Sequence, residues 1–184
     1  MIHKLKQLIK MKTEKILEIL KIVAWVTFIG TAVVALIQII AFAISFISPD
    51  TAKLITGTNM NLTDLRINHV REYVFVVSFL VIIAILNVQV WQKVKDILTK
   101  INLTSPFSME VALLLEDIGQ LLISSWVVGY IGDNYIHWLS KRIDGVSGGL
   151  EISFQYLFCA GIVYIISQIF KRGVELQEES ELTV

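Results

Sequence analysis

The run from Ile22 to Ile47 contains no charged side chain. It is longer than the roughly 20 apolar residues that a helix needs to cross the hydrocarbon core of a bilayer. A stretch of that length and character predicts a membrane-spanning helix with some tilt or a protruding end. Further apolar runs follow at Tyr73–Trp91, from Met109 to Trp138, and at Ile152–Phe170. Hydrophobic residues make up 55% of the chain and charged ones 17%, with a mean hydropathy of +0.69. A typical soluble domain has about 25% charged residues. Too little polar surface remains to solvate a globule, so lipid is the expected solvent for much of the chain. The predicted fold class is all-α, an integral membrane bundle of four transmembrane helices near 22–47, 73–91, 109–138 and 152–170. The first run is too long for the core of a secretory signal peptide and is expected to remain as a span.

Three regions follow from this pattern. Residues 1–21 form a basic segment with lysines at 4, 6, 10, 12, 15 and 21. Its apolar residues recur at helical spacing. That pattern fits a lipid-surface helix, or a cytoplasmic extension of the first span that carries an orientation signal; the second reading is preferred. Residues 22–172 form the membrane domain, and residues 173–184 an acidic tail. About two-thirds of the 16 Lys and Arg residues fall on the side that carries both termini. The positive-inside rule then places both termini in the cytoplasm. A multi-pass protein of a bacterial cytoplasmic (inner) membrane is expected.

The connectors carry weaker signals. Ser48-Pro49-Asp50 ends the first span. In the polar loop that follows, Leu62, Leu65 and Ile67 suggest a segment lying on the membrane surface. Tyr73 and Trp91 suit the two interfaces of the second span. Asn87 and Gln89, near the far end of the second span, are expected to bond a neighbouring helix or interfacial water, and interhelical amides are expected to help hold the bundle. Cys159 lies in an apolar run and reads as a buried, inert thiol.

The third span holds the most distinctive local sequence. It opens at the turn Ser105-Pro106-Phe107-Ser108. Ser108 is the predicted N-cap, Phe107 and Ala112 a hydrophobic staple, and Glu110 favours the positive end of the helix dipole. Two turns later come Glu116 and Asp117, with Gln120 one turn beyond on a shared face. Asp133 lies further along the same helix. An ionisable side chain within a span is by default a functional candidate, so Glu116, Asp117, Gln120 and Asp133 are the candidate intramembrane polar residues of a small oligomeric channel or transporter subunit. The preferred reading pairs Glu116 and Asp117 with Lys93, Lys95 or Arg172 at the cytoplasmic face. No catalytic residue, cofactor site or metal site is expected. The chain has no HExxH, no Cys/His cluster, no nucleophile elbow and no phosphate-binding loop. No enzymatic activity and no direct nucleic-acid binding are expected.

The SPFS turn, Ile118-Gly119 after the acids, and the close Ile169 to Val184 together resemble the bacterial membrane proteins grouped as domain-of-unknown-function family 2975. In that family the fourth helix ends in a basic pair and a glycine, followed by an acidic tail finishing Leu-Thr-Val. The resemblance covers the second to fourth spans best. The family usually has Glu-Asn after its PFS turn, whereas this chain has Met109-Glu110-Val111, so no role of that asparagine carries over. The resemblance implies a four-helix inner-membrane protein, often encoded beside a small helix-turn-helix transcription regulator. It thereby implies a membrane partner that holds or releases that regulator. The residues expected to meet the partner are Ser105, Pro106, Phe107, Glu110, Lys171, Arg172, Gly173, Glu175, Leu176 and Leu182. Beyond membrane lipid, a homo-oligomer and an accessory role in a larger membrane complex are the other expectations.

Overall fold

A computed structural model describes residues 2–101, 107–143, 146–150 and 153–181, with side chains from residue 12 to residue 179 within them. Ser105, Pro106 and Leu182 lie outside the described residues. The protein is all-α. Helix α1 spans Ile2–Ile44, α2 Leu62–Asn68, α3 Val70–Lys100, α4 Met109–Ser140 and α5 Gln155–Glu181, with a 3-10 turn at Pro49–Leu54. Among the described residues there is no strand, only an isolated bridge between Thr58 and Leu150. Within α1, α3, α4 and α5 lie four segments long and apolar enough to cross a membrane. The chain is a multi-pass membrane protein.

The helices pack in series: α1 against α3, α3 against α4, and α4 against α5. Among the described residues α1 does not reach α4 or α5. Successive long helices run in opposite directions, so one end of the molecule carries both termini and the α3–α4 connection. The opposite end carries the two loops that follow α1 and α4.

That second end holds the apolar core. Ala52, Ile55, Leu62 and Leu65 of the first loop region pack on Tyr73, Val76, Val77 and Leu80 of α3, and on Ile136 and Leu139 of α4. Leu62 and Leu65 are buried there, not spread on the membrane surface, because α2 folds back over the helix ends. Asn61 starts α2 by accepting from the Asp64 amide, which satisfies one of the orphan donors of a helix start. Tyr73 does not face an interface either. It is fully buried, and its hydroxyl donates to Ser45 Oγ at 2.9 Å.

The glycine-rich loop is fastened to the first loop. Thr58 Oγ1 donates to the Gly149 carbonyl at 2.9 Å, and the Gly149 amide donates to Asn59 Oδ1 at 2.9 Å. Gly148 sits at φ +117°, a conformation open to glycine and strained for other residues, with Asn59 Oδ1 2.5 Å from where a Cβ would stand. Under this clasp, Gly132 of α4 lets Leu150 and Phe79 approach within 2.6 and 3.1 Å of the position of a Cβ.

Two further expectations are corrected. Cys159 is exposed on the outer side of α5, since only one stripe of that edge helix meets α4. The amides of the spans do not bond neighbouring helices among the described residues. The Gln168 side chain donates to Ser167 beside it, and Gln38 reaches a loop residue, Thr56. The polar links between neighbouring long helices are ion pairs instead.

Candidate functional site

The end that carries both termini is built around α4. Ser108 caps that helix, its Oγ accepting from the Val111 amide at 3.2 Å. Two turns on, Glu116 and Asp117 are adjacent in sequence, so their side chains leave the helix about 100° apart. Each meets a different neighbour. Lys93 of α3 donates to Asp117 Oδ2 at 2.6 Å, and Lys171 of α5 donates to Glu116 Oε2 at 2.8 Å. The paired acids therefore fasten the central helix to both flanks at one level. Of the three cations expected as partners, only Lys93 serves. Lys95 pairs with Asp96 and lies over the rings of Trp25 and Phe28 of α1, at 4.8 and 5.0 Å. Arg172 pairs with Glu175 along its own helix. Glu110 accepts from Lys100 at 2.6 Å on the exposed rim.

The acids of α4 do not form one cluster. Asp133 lies 16 positions beyond Asp117, about 24 Å along the helix. It belongs to the clasp at the opposite end, where its Oδ1 accepts from the Leu150 amide at 3.1 Å. Gln120 is exposed and lines, with Gln89, Lys93, Asp117 and Ser124, a shallow hollow of about 310 Å³. That hollow has both a lysine and a carboxylate in its wall, already joined to each other.

Beyond the ion pairs, Gly173 does not end the fourth span. Helix α5 runs through it to Glu181. The physical reason for a glycine is close packing: Phe107 Cδ1 lies 2.6 Å from where a Cβ would be. Phe107, on the chain leading into α4, also meets Phe170 edge-on at 5.3 Å. Phe107, Ile169, Gly173 and Leu176 thus form an open apolar hollow of about 470 Å³, with Arg172 and Gln177 at its edge. Of the residues expected to meet a partner, Phe107, Arg172, Gly173 and Leu176 converge here. Glu175 is exposed next to them. Lys171 faces inward to its ion pair, and Glu110 stands on the exposed rim, paired with Lys100. Gly173 next to a basic pair suggested a helix end; nothing local in the sequence revealed that an aromatic ring from far along the chain presses on it.

A second place escaped sequence reasoning altogether. Gln38, the lone amide of the first apolar run, lines a groove of about 410 Å³ between α1 and α3. The signal was present as one amide in a charge-free span, but its partner Thr56 belongs to a loop that shows no periodicity.

A family model described as "Protein of unknown function (DUF2975)" matches residues 51–184, so the match takes in α2 to α5 and leaves out α1. Comparison with curated proteins and with solved structures gives no match.

Proposed function

We propose that this chain, which belongs to the DUF2975 family of proteins of unknown function, is a non-enzymatic regulatory protein of a bacterial inner membrane. In this reading both termini are cytoplasmic, and the end they share holds a small helix-turn-helix regulator. The observation that carries it is the apolar hollow at Phe107, Ile169, Gly173 and Leu176, which lies where α5 runs on past its ion pair with α4. Leu176 is 53% exposed at its edge.

The charge around the hollow selects the kind of partner. Glu175, Glu178 and Glu179 follow one another along the exposed part of α5. An acidic, helical surface next to an apolar hollow complements a basic protein that offers an apolar side chain. DNA-binding domains have such basic surfaces. Holding one by its basic face would withhold that face from DNA. The orientation rests on the lysines of the N-terminal segment and on Lys93, Lys95 and Lys100 at the end of α3, counted by the positive-inside rule.

The test is affinity recovery of the tagged, detergent-solubilised protein from its own membranes, with mass spectrometry of what accompanies it. The expected result is a small DNA-binding protein in stoichiometric amount, lost with Leu176→Asp and with deletion of Glu175–Val184. Recovery of membrane proteins alone, or of further copies of this chain alone, would sink the reading.

A further inference from the structure

The groove beside Gln38 lies within the part of α1 long and apolar enough to span the membrane. Its floor is Val34, Leu80, Ile83 and Ala84, Tyr156 of α5 also lines it, and among the described residues no charged one does. Polar groups stand at its two ends. At one end Gln38 is only 4% exposed; its Nε2 donates to Thr56 Oγ1 at 2.7 Å, and its Oε1 is buried with no partner among the described residues. At the other end are Thr27, Thr31 and Asn87. The two threonine hydroxyls donate to carbonyls of their own helix, which leaves their lone pairs unused. The two ends are seven residues apart on α1, about 10 Å.

An unmet acceptor inside an apolar wall is destabilising, and a donor brought by a ligand removes that cost. The terminal torsion of a glutamine is broad and soft, so the amide turns to meet a donor without leaving its position on α1. The volume is that of a small-molecule site, which is typically about 300–1,000 Å³. A helix is about 10–12 Å across with its side chains and would have to part α1 from α3 to fit. The described wall offers no charge to meet an ionic ligand, and its place within the apolar, span-length part of α1 makes lipid the route of entry.

We propose that the groove between α1 and α3 binds a neutral, membrane-borne amphiphile whose hydroxyl or amide N–H donates to Gln38, with its apolar chain laid along Val34, Leu80 and Ile83. This is independent of the docking hollow at the other end of the molecule.

The full-length protein in phosphatidylcholine nanodiscs is illuminated with a dodecanol that carries a diazirine at mid-chain, and the labelled peptides are identified. The methyl ether of the same probe has no donor and serves as the comparison. Expected labelling falls on Val34 or within Leu80–Asn87, at least tenfold above that by the ether. Gly30 lines the groove and has nothing within 4 Å of where a Cβ would stand, so Gly30→Leu fills the space without a clash. Gly30→Leu and Gln38→Leu are each expected to cut labelling at least tenfold. Equal labelling by alcohol and ether would overturn the proposal, because ordinary acyl chains would then fill the groove unselectively. Undiminished labelling of Gly30→Leu would also overturn it, as would cross-linking that shows a second copy of the chain seated against α1.

Discussion

The two ends of this molecule are held together by different physics. At the clasped end, α2 and the glycine-rich loop close over a core of Tyr73, Val76, Ile136 and Leu139, and the loops are hydrogen-bonded to each other. At the end with the termini, α4 also buries Val111, Ala112, Leu114 and Ile118, and the helices are joined in addition by lysine–carboxylate pairs at 2.6–2.8 Å, a lysine over two rings and one pair of phenylalanines. Packed apolar contacts resist any change of volume and ignore salt. Ion pairs with a quarter or more of each side chain exposed are modest in strength and screened by salt. The polar links of the second end are therefore the ones that salt can weaken.

Substitutions at the two ends should separate accordingly. Ile136→Ala empties fully buried volume and is expected to destabilise by about 3 kcal/mol, read as a lower midpoint for SDS unfolding in mixed micelles at any ionic strength. Gly148→Ala imposes a strained backbone and a contact with Asn59, and should cost about 2 kcal/mol; an unchanged midpoint would show that the clasp does not limit stability. At the other end, a double-mutant cycle of Glu116→Gln with Lys171→Met should give a coupling of about 1 kcal/mol, since those side chains are 26% and 27% exposed. Raising salt to about 1 M, where the Debye length is roughly 3 Å, should shrink that coupling. The same cycle on Lys100 and Glu110, whose side chains are 42% and 63% exposed, should stay within about 0.5 kcal/mol of zero. A coupling as large there as at Glu116 would erase the distinction between inner and rim pairs.

Much of the architecture was legible because lipid imposes a simple code. Three long charge-free runs and the acid-bearing run of α4 marked the four spanning helices, Ser108 announced the start of α4, and the expected pairing of the acids with Lys93, Lys95 or Arg172 held for Lys93 and Asp117. What stayed hidden depends on contacts between distant parts of the chain. Lys171, not its neighbour Arg172, reaches Glu116, because the α4–α5 interface turns one of two adjacent side chains inward. Gly173 and Gly148 look alike as small residues, yet one admits a phenylalanine ring and the other a backbone turn. Leu62 and Leu65 read as a surface segment because nothing in their spacing showed that α2 would fold under the helix ends. The groove at Gln38 is walled by α1, α3, the loop at Thr56 and Gly57, and Tyr156 of α5, a property of the assembly and not of any one stretch of sequence.

The placement of lysines on α3 also bears on how the chain enters the bilayer. Lys93 and Lys100 stand on the helix made just before the one that carries Asp117 and Glu110. When α4 emerges during synthesis, the counter-charges for two of its acids are already waiting on its predecessor. The α3–α4 hairpin can therefore leave the insertion machinery with two of its acids already paired, while Glu116 waits for Lys171 of α5 and Asp133 for the Leu150 amide.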